Sequence, residues 1–116
     1  MEIPRISGEV IKLLDRLGRE RGDRELQDIA FDLHILNASI EHLETAMKNC
    51  DIGKMFFWYG DIMKQLAETG EKIYRKWYEL PKEVREATRK LTEIREKAYA
   101  GAVSRVRQCS IKGLLR

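Results

Sequence analysis

Apolar residues recur three and four positions apart along almost the whole chain, the spacing of helices that each bury one face. The clearest run is Leu26, Ile29, Leu33, Leu36, Ile40, Leu43, Met47 and Cys50, a heptad seam without a polar interruption. It predicts a helix over about 23–50, opened by Asp23 as N-cap. Ahead of it, Val10, Leu13, Leu14 and Leu17 mark a shorter helix over about 7–21, capped by Ser7 and ended by Gly22. After a break at Asn49, Asp51 and Gly53, with Asp51 as N-cap, the stripe Ile52, Met55, Tyr59, Ile62, Leu66, Ile73 and Leu80 predicts a helix over about 52–80. Thr69 and Lys76 interrupt that stripe, and Gly60 and Gly70 are tolerated in it at about 1 kcal/mol each relative to alanine. Pro81 suits a first helical turn and opens a last helix over about 81–109. Its seam runs Val84, Ala87, Leu91, Ile94, Ala98 and Gly101, then slips by a stutter to Ala102, Val106 and Cys109. The expected fold is all-α: an antiparallel bundle of three long helices with a shorter N-terminal helix packed against it.

This arrangement has a geometric consequence. The first helix covers about 22 Å of a bundle about 39 Å long, at the end where residues 22, 80 and 81 turn. The opposite end lacks a fourth wall, and it carries Met55, Phe56, Phe57, Trp58 and Tyr59 in succession. Each residue turns 100° from the last, so one core cannot take all five. Met55 and Tyr59 belong to the seam, leaving Phe56, Phe57 and Trp58 as an expected association surface, the alternative being that the amino-terminal strand or the last residues fold back over them. A second stripe, Phe31, Ile35 and Ala38, is expected to meet the first helix.

Composition narrows the setting. The 116 residues are 43% hydrophobic and 35% charged, enough for one domain, 1–116, and no stretch is apolar enough to span a membrane. Met1 to Ser7 lacks the pattern of a secretory signal, so a cytoplasmic protein is expected. Only Gln27, Asn37, Asn49, Gln65 and Gln108 carry amides, against 41 charged residues, a balance associated with thermophiles. The net charge of +3 is uneven: every acid lies within residues 1–96, and Lys97, Arg105, Arg107, Lys112 and Arg116 follow with none. A basic tail is expected over about 110–116, and Arg105, Arg107, Lys112 and Arg116 are the candidates for contacting nucleic-acid phosphates.

Other chemistry is sparse. Cys50 and Cys109 close two helices at one pole of the bundle, which permits a disulfide; the favoured reading is two buried free thiols. His34 and His42 lie about 12 Å apart along one helix, too far to share a metal ion, and no cofactor is implied. Acid pairs three apart recur, among them Glu25/Asp28 and Glu41/Glu44, a spacing that points both carboxylates the same way. The 13-residue segment RELQDIAFDLHIL, Arg24 to Leu36, resembles the second metal-binding helix of MazG-like nucleotide pyrophosphohydrolases, with Glu25 and Asp28 in the ExxD positions. That family carries an ExxE on the preceding helix, where this chain offers only Glu9 and Glu20. No phosphate-binding loop or nucleophile motif is present.

The expected function is therefore a non-enzymatic helical assembly protein. It would form a homo-oligomer, a dimer in the simplest case, or dock a protein partner through Phe56, Phe57, Trp58 and Tyr59. Its basic tail would meet DNA or RNA. The alternatives are a magnesium-dependent nucleotide pyrophosphohydrolase using Glu25, Asp28, Glu41 and Glu44, and a purely protein-binding regulator.

Overall fold

The computed structural model describes residues 2–114, and side chains through Ile111. Helix α1 spans Gly8–Arg21, α2 Arg24–Lys48 and α3 Ile52–Arg75. A 3-10 turn, Trp77–Glu79, leads to α4 (Lys82–Ala87) and α5 (Arg89–Leu114), which together make one long helix bent at Thr88. Among the described residues there is no strand, and the helices pack antiparallel, as the apolar spacing predicts. The bundle is elongated, 58 × 21 × 18 Å.

The helix ends follow from local chemistry. Ser7 accepts a hydrogen bond from the Glu9 N–H, Asp23 from Glu25 and Leu26, and Asp51 from Lys54, each satisfying free amides of a first turn. Gly22 closes α1 at φ +62°, a left-handed conformation that suits glycine. The core is built on the α2 seam from Leu26 to Met47, joined by Leu14, Met55, Ile62, Ile73, Val84, Ile94 and Ala98. Gly18 lets α1 cross close to the start of α2: a Cβ there would lie 2.7 Å from Gln27 Cγ and 2.9 Å from the Asp23 carbonyl oxygen.

Two boundaries differ from the expectation. Helix α3 ends at Arg75 rather than near residue 80. The Lys76 N–H is shared between the Lys72 and Ile73 carbonyls, and Leu80 is extended (φ −80°, ψ 138°), as a residue before proline prefers. The last helix is broken at Thr88, whose hydroxyl donates back to the Arg85 carbonyl at 2.5 Å, and it continues to Leu114 rather than stopping near Cys109. A back-bonding threonine of this kind bends helices.

The expectation of a missing fourth wall is corrected as well. The extended segment before α1 supplies it, burying Ile3 and Ile6. Asn37 on α2 pairs with both backbone groups of Ile6, accepting from its N–H at 3.0 Å and donating to its carbonyl at 2.9 Å. Glu44 accepts from the Ile3 N–H at 3.0 Å and forms a close ion pair with Arg5. The stripe expected under α1 is not there: Phe31 is 63% exposed and Ile35 38%. Helix α1 instead uses the α2 edge on which Gln27 and Leu33 lie, with Val10 beside Leu33 and Val84.

Candidate interaction surface

Covering the far end does not enclose its aromatic rings, because the N-terminal segment lies along α2 while the rings project from α3. Phe56 and Phe57 are each 64% exposed, whereas Met55 is buried and Trp58 and Tyr59 are half-buried. The five residues therefore divide between two faces. On one, Trp58 stacks on His42 with ring centroids 4.4 Å apart and planes at 17°, and Phe57 meets Trp58 edge-on at 4.9 Å. His42 lies on the same line of α2 as Ala38, Ile35 and Phe31, four and three residues apart, so this face continues down α2 through the half-buried Ala38 to the exposed Ile35 and Phe31.

On the other face, Tyr59 lies 6.3 Å from Tyr99 of α5, centroid to centroid. Phe56 begins a line along α3 that the sequence reading missed: Phe56, Gly60, Met63, Ala67, Gly70 and Tyr74, in steps of four and three. No member is charged, and Tyr74 is 81% exposed. The line borders an open groove of about 960 Å³ between α3 and α5, whose α5 wall includes Leu91, Arg95, Glu96 and Tyr99. The signal was in the sequence, because this is a second heptad spacing on the same helix, offset from the buried one. Its two glycines hid it.

The two described basic candidates, Arg105 and Arg107, differ in their surroundings. The half-buried Arg105 donates through Nε to the Met47 carbonyl at 2.6 Å and through Nη1 to Gln108 at 3.0 Å, adding a side-chain donor at the carbonyl end of α2, where the Cys50 N–H also meets the Met47 carbonyl. Arg107 is exposed on α5. The Lys112 side chain and Arg116 lie outside the described residues.

The two cysteines are joined in a disulfide, Cys50–Cys109, with Cα atoms 5.5 Å apart, so the reading as two free thiols is overturned. Cys50 holds φ +53° in the α2–α3 link, and this backbone placement carries it to the last helix.

The carboxylates of the pyrophosphohydrolase alternative are dispersed. Glu25 pairs with Arg75 at 3.0 Å and Glu44 with Arg5, and the two lie about 28 Å apart along α2. Among the described residues no three His, Cys, Asp or Glu side chains are grouped to hold a metal ion. The Lys76 that interrupts the α3 stripe is also explained: its ammonium meets Asp23 at 2.8 Å, with Glu79 at 3.5 Å. The hydrogen bond from Lys76, helped by the α2 amides, holds the Asp23 carboxyl below its ordinary 3.8. Burial raises the Glu44 carboxyl, but the hydrogen bonds from Arg5 and the Ile3 amide outweigh it and leave it below its ordinary 4.5.

No helix among the described residues is long and apolar enough to cross a membrane. Comparison with protein-family models, curated proteins and solved structures finds no match for this chain.

Proposed function

We propose that this chain is a non-enzymatic helical assembly protein that associates through the aromatic segment Phe56 to Tyr59. The observation that carries the reading is the exposure of Phe56 and Phe57 on a helix whose buried stripe is already complete without them. Large apolar side chains held in water on a rigid helix cost solubility and gain nothing for the monomer, which is the usual mark of an interface. An assembly role also fits the carboxylates better than hydrolysis, since Glu25 and Glu44 are occupied by arginines within the chain. The role in contacting nucleic acid falls to Arg107 together with Lys112 and Arg116, because Arg105 is engaged with α2.

Sedimentation equilibrium over micromolar concentrations tests the association. The wild type is expected above monomer mass, and Phe56→Ala with Phe57→Ala is expected to shift it toward monomer with helicity unchanged. A wild-type monomer that also captures no partner overturns the reading. Binding to a short duplex at two salt concentrations tests the basic end: affinity should fall with salt and with Arg107→Ala.

A further inference from the structure

We infer that the outer line of α3 is the seam of an antiparallel homodimer, with a second copy of this chain as its occupant. This rests on the association reading above and specifies its geometry. The order of residues on the line is the first argument. Phe56, Gly60, Met63, Ala67, Gly70 and Tyr74 are symmetric about position 65 in kind as well as in spacing. Laid antiparallel on itself about that centre, the line sets Phe56 against Tyr74 of the partner subunit. Gly60 then meets Gly70 of the partner subunit, and Met63 meets Ala67 of the partner subunit. Aromatic side chains meet at the two ends, glycines inside them and a methionine against an alanine at the middle, over about 27 Å of helix. The steps of four and three are those of a two-helix seam. A two-fold contact requires such self-complementarity, because the same patch serves both copies.

The glycines agree. A Cβ built on Gly60 or Gly70 meets nothing within 4 Å, and neither residue has a positive φ, so the monomer gives no packing reason for them. In a helix each costs about 1 kcal/mol relative to alanine. Opposite each other across a two-fold, they let two backbones approach closely.

Charge supplies an independent argument. Antiparallel pairing of α3 brings the two α5 helices side by side at one flank, completing four helices in which each neighbour is antiparallel. The Tyr59–Tyr99 contact and the shared lining of Met55 and Val106 fix which part of α5 lies beside position 65 of α3. The two-fold axis therefore crosses α5 within a turn of Arg95 and Glu96. Both line the groove, and neither has an ion pair among the described residues, although Glu93 and Lys97 beside them pair with each other. In the dimer Arg95 faces Glu96 of the partner subunit, and the same pair recurs by symmetry.

Three measurements test the seam on the full oxidised chain. Ala67→Glu changes an exposed position, so the fold is expected to persist by circular dichroism, while sedimentation equilibrium shows dimer dissociation strengthened at least about tenfold by charges placed in an apolar seam. Arg95→Glu is expected to weaken the dimer, and Arg95→Glu with Glu96→Arg to restore it. For register, Phe56→Cys and Tyr74→Cys are made separately: mild oxidation should cross-link an equimolar mixture of the two chains and neither chain alone. Cross-linking of Phe56→Cys chains by themselves means parallel pairing and overturns the proposal. A dimer indifferent to Ala67→Glu but lost with Phe57→Ala overturns the seam and leaves the broader association reading standing. A monomer at every concentration overturns the seam outright, and the docking of another partner is then read separately by capture on the aromatic face.

Discussion

Single residues set the tightest constraints in this molecule, and Gly18 is the sharpest of them. It sits where α1 meets the start of α2, and its α-carbon faces backbone as well as side chain: the Asp23 carbonyl oxygen and the Gln27 amide nitrogen both lie 2.9 Å from a built Cβ. Backbone cannot rotate away as a side chain can, so Gly18→Ala is expected to destabilise by about 1–3 kcal/mol despite its better helix propensity. Urea denaturation measures it; a gain in stability would mean that the crossing loosens at no cost. Nothing around Gly18 in the sequence announces this, since a glycine inside a helical pattern reads only as a weak propensity. The caps are the opposite case. Ser7, Gly22, Asp23 and Asp51 were all legible, because each acts on backbone groups two or three residues away and needs no knowledge of the tertiary fold. Arg105 was legible as a cation near a helix end, but the carbonyl it meets belongs to α2, 58 residues earlier.

Elements were readable where one period held without competition, and less so where two forces met. The α2 seam is unbroken and its helix matches the expectation to within two residues. Helix α3 ends at Arg75, and Lys76 just beyond it pairs with Asp23, the N-cap of α2, a contact that apolar spacing does not encode. This crossing joins three chain segments and makes acid stability an element-scale property. Asp23 and Glu44 are both held below their ordinary values in the fold, so the unfolded chain takes up protons first as pH falls. The stabilisation is complete above the unfolded values, at neutral pH, and is lost as pH drops below about 4 through the lower folded values. Thermal melts from pH 7 to pH 2 should show a flat plateau and then a fall. Asp23→Asn should keep the α2 cap and flatten part of that fall, whereas an unchanged acid limb would remove Asp23 from the account. Glu44→Gln is expected to loosen Ile3 while leaving α2 helical, read as faster amide exchange in residues 2–6 alone.

The whole molecule was legible as an antiparallel bundle because periodicity, caps and turn positions all pointed to one topology, but what covers its ends was not. An extended segment has no period to detect over six residues, so the amino-terminal segment was legible only as an alternative cover for the rings, whereas the wall that Ile3 and Ile6 make lies along α2. The rings remain exposed because α3 has two unpartnered flanks, one toward His42 and one toward Tyr99. The disulfide also belongs to this scale, since it ties the α2–α3 link to the far part of α5 across a sequence separation of 59. Closing a loop of that size removes conformational entropy from the unfolded chain worth about 4 kcal/mol in the chain-entropy model. Against it stands the left-handed backbone of Cys50, which costs a residue with a side chain about 1–2 kcal/mol. The balance favours the bond, so reduction with dithiothreitol should lower the free energy of unfolding by about 2–3 kcal/mol. The denaturant slope should rise, because the reduced unfolded chain exposes more surface. Cys109→Ser should reproduce the loss and make the protein indifferent to dithiothreitol. Adding Cys50→Gly to Cys109→Ser should recover part of it, since glycine takes φ +53° freely. Equal stability before and after reduction would show that structure persisting in the unfolded chain already holds the two link regions near each other, leaving the bond no unfolded-state freedom to remove.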